Sequence, residues 1–196
     1  MSLTRFASQA ITDFQSTAAV APSSRYLARE MVRPLPLASA KTVVELGPGT
    51  GVMTSALLDS LPADSTILAF EISDSFVRHL RRTIADPRLE VVHAGAETAG
   101  DELRRRGITR VDAALSSLGS SLMPDGLMRS ILAGLEPFLD GESVFTQFQY
   151  MHRIRVREGR VSYFDVEPLL REFFRDIRRS SVWINLPPAF VFDCRR

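Results

Sequence analysis

The stretch that most restricts the fold is Thr42-Val43-Val44-Glu45-Leu46 running directly into Gly47-Pro48-Gly49-Thr50-Gly51. A short β-branched, apolar run reads as a strand buried on both faces. The glycines after it let the backbone take unusual angles and approach a ligand closely. Val52–Ser60 then reads as a helix. Strand, glycine turn and helix in that order open an α/β sheet of the kind that binds ligands beyond the carboxyl ends of its parallel strands. The next strand, Ser65–Ile72, carries Glu71 twenty residues past Gly51, where a carboxylate can accept hydrogen bonds from ribose hydroxyls.

The alternation continues. Helices are expected at Asp74–Ile84, Glu97–Arg106 (closed by Gly107), Asp125–Leu139 and Pro168–Arg179, and strands at Leu89–His93, Val111–Leu115 and Glu142–Tyr150. Two last strands, Ser181–Leu186 and Ala189–Cys194, meet at Pro187-Pro188. They lie too close together for a parallel crossover and are expected as an antiparallel edge hairpin. The fold class is therefore α/β, with a Rossmann-like, seven-stranded, mostly parallel sheet, a terminal antiparallel hairpin and helices on both faces. Ahead of it, Leu3, Phe6, Ala7, Ala10, Ile11 and Phe14 recur at helical spacing on one face, and a second helix, roughly Ser24–Val32, follows the N-cap signal of the turn Ala21-Pro22-Ser23-Ser24. Residues 1–38 are expected as an N-terminal helical extension and 39–196 as the main domain.

A chain of 196 residues suits one such core. No apolar stretch reaches bilayer-spanning length, and no export signal is evident, so a cytoplasmic protein is expected. Cys194 is the only cysteine, which excludes an internal disulfide and a cysteine metal cluster; no metal is expected. The net charge of +1 divides unevenly: residues 1–41 carry +3, residues 42–150 carry −6 and residues 151–196 carry +4. Near-neutral overall charge argues against nucleic acid as a partner. The basic ends suit an anionic membrane surface, although arginine-rich composition alone gives the same pattern.

The spacing of the loop selects its ligand. Dinucleotide loops read G-x-G-x-x-G and place a pyrophosphate on a helix N-terminus. Here the order is G-x-G-x-G, with Glu45 two residues before the first glycine. S-adenosylmethionine carries no phosphate; it has a cationic amino-acid end, which suits an acidic residue beside the loop, and a ribose, which suits Glu71. The pattern resembles motifs I and II of the class I S-adenosylmethionine-dependent methyltransferases. The resemblance narrows at Val20-Ala21-Pro22-Ser23-Ser24-Arg25-Tyr26-Leu27-Ala28-Arg29, at Gln147-Phe148-Gln149-Tyr150 and at Val182-Trp183-Ile184-Asn185-Leu186-Pro187-Pro188-Ala189. There the chain is similar to the bacterial phospholipid N-methyltransferases, a branch related to the ribosomal RNA adenine dimethylases.

That resemblance implies S-adenosyl-L-methionine as cofactor and methylation of phosphatidylethanolamine and its methylated forms, on the route to phosphatidylcholine. It also implies contact of residues 1–15 with an anionic membrane, hence peripheral association with the inner face of the plasma membrane. The pattern of those residues equally suits a helix folded onto the core. The cofactor-binding candidates are Glu45, Gly47, Pro48, Gly49, Thr50, Gly51, Glu71, Ile72, Gly95, Ala96, Glu97 and Ser116. The catalytic candidates are Tyr150 and Ser116, and the substrate-binding candidates are Tyr26, Tyr150, His152, Arg153 and Asn185.

Two segments depart from the family pattern. Gly95 stands where an acidic residue would face the adenine amino group, so the backbone or Glu97 must substitute. Ser116-Ser117-Leu118-Gly119-Ser120 stands where relatives in the family carry a Leu-Pro-aromatic motif and adenine methyltransferases carry the Asn/Asp-Pro-Pro-Tyr that holds a flipped base; it departs from both, and the second departure argues against base methylation. A soluble amine as acceptor, and a cofactor-binding protein associated with ribosomal RNA, are the alternatives.

Overall fold

The computed structural model describes residues 24–124, 126–152, 154–157 and 160–196. The amphipathic segment Leu3–Phe14, most of the proposed extension 1–38, and Arg153 lie outside the described residues or largely so. Helix α1 (Arg25–Val32) starts where expected: the Ser24 hydroxyl accepts from the Leu27 amide at 3.2 Å. That bond satisfies one of the four amides a helix start leaves open. Leu27, Ala28, Met31 and Val32 form its buried stripe.

The elements that follow are β1 (Thr42–Leu46), α2 (Val52–Leu58), β2 (Thr66–Glu71), α3 (Asp74–Thr83), β3 (Leu89–His93), α4 (Ala99–Arg105), β4 (Ala113–Ser116), α5 (Leu127–Leu135), β5 (Val144–Tyr150), β6 (Ile154–Arg157), β7 (Arg160–Tyr163), α6 (Glu167–Leu170), β8 (Asp176–Val182) and β9 (Ala189–Arg195). The main sheet has seven strands in the order β3-β2-β1-β4-β5-β9-β8. β1 to β5 pair in parallel and β9 runs antiparallel to both β5 and β8. This is the Rossmann-like, mostly parallel sheet with a terminal antiparallel hairpin expected from the strand–helix alternation.

Because consecutive strand side chains point to opposite faces, the apolar run of β1 splits between two cores. Val43 packs with α1 and α2, through Met31, Met53 and Leu57. Val44 and Leu46 pack with α4 and α5, through Leu103, Ile131 and Leu135. A strand covered on both faces has no polar side to show, and this explains why β1, β2 and β4 read as continuous apolar stretches.

The second half of the chain departs from expectation in three places. The helix expected at Pro168–Arg179 is a single turn, Glu167–Leu170, and Asp176–Arg179 belong to strand β8, paired with β9 from Asp176↔Arg195 to Val182↔Ala189. The helix stops at Leu170, and Phe174 then turns inward to stack on Phe145 of β5 at 5.3 Å between ring centroids. The Arg175 amide then donates to the Arg195 carbonyl and starts the ladder. Residues assigned to no element in the sequence, 154–157 and 160–163, form the small antiparallel pair β6–β7. The helix expected to run to Leu139 ends at Leu135 and tightens into a 3-10 turn over Glu136–Phe138, where Pro137 cannot donate to an α-helical ladder. No helix among the described residues is long and apolar enough to cross a membrane.

Candidate active site

The carboxyl edge of the sheet is tied together before any ligand is considered. The Gly47 amide donates to the Phe70 carbonyl of β2 at 2.9 Å, and the Ser117 amide donates to the Leu46 carbonyl of β1 at 2.9 Å. The Gly51 amide closes the loop on the Pro48 carbonyl at 2.9 Å. Gly47 and Gly51 take φ of 73° and 84°, angles that cost an L residue about 1–2 kcal/mol. A Cβ on Gly47 would also stand 2.7 Å from the Leu118 side chain. Leu118 thus lies directly over the glycine turn.

Glu71, at the end of β2, faces this loop. Its two carboxylate oxygens accept from the Gly49 amide at 3.0 Å and the Ser73 amide at 2.8 Å. Burial pushes its pKa up, opposed by those amides. Each oxygen keeps a lone pair for a further donor. The loop and Glu71 border a cavity of about 200 Å³ whose wall also includes Phe70, Ile72 and Phe76 on one side, Gly95, Ala96 and Glu97 on another, and Leu118, Leu122, Met123 and Leu127 on a third. Seven of the cofactor-binding candidates (Gly47, Gly49, Glu71, Ile72, Gly95, Ala96 and Glu97) meet on this one cavity.

The departure at Gly95 resolves in three dimensions. A Cβ built on Gly95 would overlap both carboxylate oxygens of Glu97. The Glu97 carboxylate therefore occupies the space that a side chain at position 95 would fill, at the cavity wall. An acidic group is present there, supplied from two residues downstream.

Glu45 sits elsewhere. It points away from the cavity to the α2 side, wholly buried, with one oxygen accepting from the Thr54 hydroxyl at 2.8 Å and the other without a partner among the described residues. Desolvation raises its pKa to about 8, with the Thr54 bond working against that shift and the nearby Glu71 charge adding to it. Pro48, Thr50 and Gly51 form the turn without lining the cavity. Ser116 is buried at the end of β4 with its hydroxyl unpartnered among the described residues, as is that of the cavity-lining Ser117.

The other candidates lie further along the same edge. Tyr150 ends β5, packs edge-on against Phe148 at 5.2 Å and stacks on His152 at 5.7 Å. Burial raises its pKa, so the phenol stays protonated in neutral solution. Tyr26 is exposed on α1 under the Arg25 guanidinium. Asn185 is buried, and both ends of its amide are engaged by backbone: it accepts from the Ser24 amide at 3.1 Å and donates to the Pro187 carbonyl at 2.7 Å. None of these four lines the glycine-loop cavity.

Sequence reasoning missed two parts of this edge. Gln147 and Gln149 are clamps: the Gln147 amide donates to the Leu118 carbonyl at 3.0 Å, and Gln149 bridges the Phe164 carbonyl and the Val166 amide. Two amide side chains alternating along an apolar strand are the signal that they bond inward. The apolar wall from Leu118 to Leu127 left no clear signal, because Gly119, Pro124 and Gly126 break up a stretch whose apolar residues stand at helix-like spacing.

The residues present fit S-adenosylmethionine. Glu71 retains acceptor capacity beside the glycine turn, the wall of Phe70, Phe76, Leu118 and Leu127 suits a flat base, and Glu97 stands where an exocyclic amine would be met. Fold and site together define a class I S-adenosylmethionine-dependent methyltransferase.

Comparison with known proteins agrees. Residues 23–99 match the family model described as ribosomal RNA adenine dimethylase. The chain is 31% identical over 179 residues to the ornithine lipid N-methyltransferase of Singulisphaera acidiphila, covering 91% of this chain and 88% of that one. It is 29% identical over 155 residues to ribosomal RNA small subunit methyltransferase A of Nocardia farcinica, covering 78% of this chain and 51% of that one. The crystal structure of precorrin-6y C5,15-methyltransferase from Geobacter metallireducens superposes with a TM-score of 0.65 at 14% identity, over 92% and 93% of the two chains, a likeness of fold. The chain belongs to the same family as the Singulisphaera ornithine lipid N-methyltransferase, and S-adenosylmethionine is its cofactor.

Proposed function

We propose that this protein is an N-methyltransferase acting on the amine of a membrane lipid head group. The observation that carries the reading is the 31% identity to the ornithine lipid N-methyltransferase across 91% of the chain. The serine-rich segment after β4 supports it from the other side, since it lacks the motif that holds a flipped base. Two acceptors are favoured by separate observations: an ornithine-type lipid by that relative, and phosphatidylethanolamine with its mono- and dimethyl forms by the segments Gln147–Tyr150 and Val182–Ala189.

In this reading Gly47, Gly49 and Glu71 hold the amino-acid and ribose parts of the cofactor, with Glu97, Ile72 and Ala96 against its base. Bound there, S-adenosylmethionine supplies a methyl group already activated on a sulfonium, so in-line positioning provides most of the acceleration. Leu118, pinned by Gln147, closes the cavity over Gly47 and excludes water. The acceptor amine must be neutral to attack. The unpartnered hydroxyls of Ser116 and Ser117 and the neutral phenol of Tyr150 can accept from its N–H groups and orient its lone pair. His152, which stacks on Tyr150, is a substrate-binding proposal together with Tyr26 and Arg153, while Asn185 would act by holding the turn, its amide being engaged by Ser24 and Pro187.

The test is transfer of a radiolabelled methyl group to ornithine lipid, to phosphatidylethanolamine and its mono- and dimethyl forms, to small water-soluble amines and to ribosomal RNA. Label in one or both lipid classes supports the proposal. Label confined to soluble amines or to RNA overturns it.

A further inference from the structure

The turn joining β8 to β9 exposes Trp183 at 72%, Ile184 at 72% and Leu186 at 78% of their surfaces. Between them Asn185 is only 3% exposed. The alternation has a cause: with its amide bonded to the Ser24 amide and the Pro187 carbonyl, Asn185 anchors the turn from inside and leaves its neighbours pointing out. Three large apolar side chains held in water on one short turn are a marker of an interaction surface.

The register locates that turn. Ala189 of β9 pairs with Tyr150, the last residue of β5, and with Val182, the last residue of β8. The turn therefore lies at the carboxyl edge of the parallel strands, the edge that carries the glycine loop. Arg25, next to the Ser24 amide that Asn185 holds, and Arg29 one turn along α1 are exposed and make no ion pair with the described residues. Apolar side chains on a short turn beside exposed arginines complement an anionic bilayer, in which tryptophan favours the interface and arginine the head groups.

We infer that the turn Trp183–Pro188 is a membrane-docking wedge: Trp183, Ile184 and Leu186 enter the interface of an anionic phospholipid bilayer and set the carboxyl edge of the sheet against it. The inference rests on the proposed lipid acceptor, for which it supplies the route of access. It assigns bilayer contact to a segment at the opposite end of the chain from residues 1–15.

Trp183 is the only tryptophan, so its emission reports on this turn alone. The full chain is titrated with vesicles of phosphatidylglycerol and phosphatidylcholine, with and without brominated acyl chains. The expected result is a blue shift of the emission and quenching by the brominated lipid. Ile184→Ser with Leu186→Ser, both at exposed positions and leaving the reporter in place, should lower vesicle partitioning at least tenfold. Cofactor affinity should stay unchanged. Vesicle binding that leaves the Trp183 emission unmoved, or that the double variant does not weaken, overturns the inference. So does a blue shift that appears without lipid and tracks protein concentration, which would mean a second copy covers the turn. Lipid methylation without Trp183 insertion would remove the wedge and leave the proposed activity standing. Insertion without methylation of any lipid amine would do the reverse.

Discussion

At the β1–β2 end of the carboxyl edge, the chain is held by its own backbone: Gly47 on Phe70, Ser117 on Leu46, and Glu71 on the amides of Gly49 and Ser73. At the β5–β8 end, the groups that face outward are side chains, with Tyr150 stacked on His152 and a turn held by the Asn185 amide and by the Met151 amide on the Pro188 carbonyl. The first region presents acceptors and an apolar wall to one ligand of fixed shape. The second presents exposed apolar and basic groups, which suit an acceptor delivered by a surface. A methyltransferase with a constant donor and a particular acceptor divides in this way, because only the donor site must be preorganised in fine detail.

Glu45, buried behind the glycine loop on the α2 side, carries the largest expected effect. Its pKa is about 8 in the folded protein against 4.5 ordinarily. Between those values the unfolded chain loses the proton while the folded protein keeps it. The contribution of Glu45 to stability is therefore greatest below pH 4.5, falls as pH rises, and levels off above about 8. The ceiling on the fall is about 5 kcal/mol, at about 1.4 kcal/mol per pH unit. Glu45→Gln has no proton to lose, so its Tm advantage over the parent, measured without cofactor, should widen steadily between pH 5 and pH 8. A constant offset across that range would show that Glu45 is ionised in the fold.

Glu71→Ala comes next. It removes the carboxylate that the cavity holds with two amides, and should weaken cofactor binding by about 2 kcal/mol, roughly 30-fold, in calorimetry. Unchanged affinity would take Glu71 out of the site and dissolve the contrast between the two regions.

The exchange at Gly95 is finer. Glu97→Ala should cost about 1 kcal/mol of cofactor affinity. Gly95→Asp alone should be worse than either parent or Glu97→Ala, since the new Cβ overlaps the Glu97 carboxylate. The double variant should recover most of the loss by placing one carboxylate in the same space. If it does not, Glu97 is not standing in for residue 95.

Tyr150→Phe should have the smallest effect and sharpen the comparison from the other side. Cofactor affinity should hold within about twofold, while kcat/KM for the lipid acceptor falls by about fivefold, or about 1 kcal/mol, as expected for one orienting hydrogen bond. A matching loss of cofactor affinity would merge Tyr150 with the donor region.

The donor region was legible in the residues because its signals are local. A β-branched run, glycines at fixed spacing and an acid at the next strand end are read within thirty residues, and Gly47, Gly49 and Glu71 meet where that spacing put them. Asp176–Arg179 were misread as helix because polar residues there alternate too weakly to announce a strand; pairing with β9 decided it. Glu45 looked like a ligand group from its distance to the loop, yet strand alternation turned it to the α2 face.

Sequence by itself determined an open α/β sheet, a glycine turn and an acidic residue at the end of the next strand, since periodicity and backbone freedom are properties of short segments. Only the tertiary structure decided that β9 lies between β5 and β8, that Glu97 fills the space beside Gly95, that Leu118 covers Gly47, and that Trp183, Ile184 and Leu186 stand in water at the working edge. The Glu97 contact is set by the tight turn at Ala96–Thr98; the others depend on which distant segment packs alongside, and their burial is set by that packing and not by local pattern.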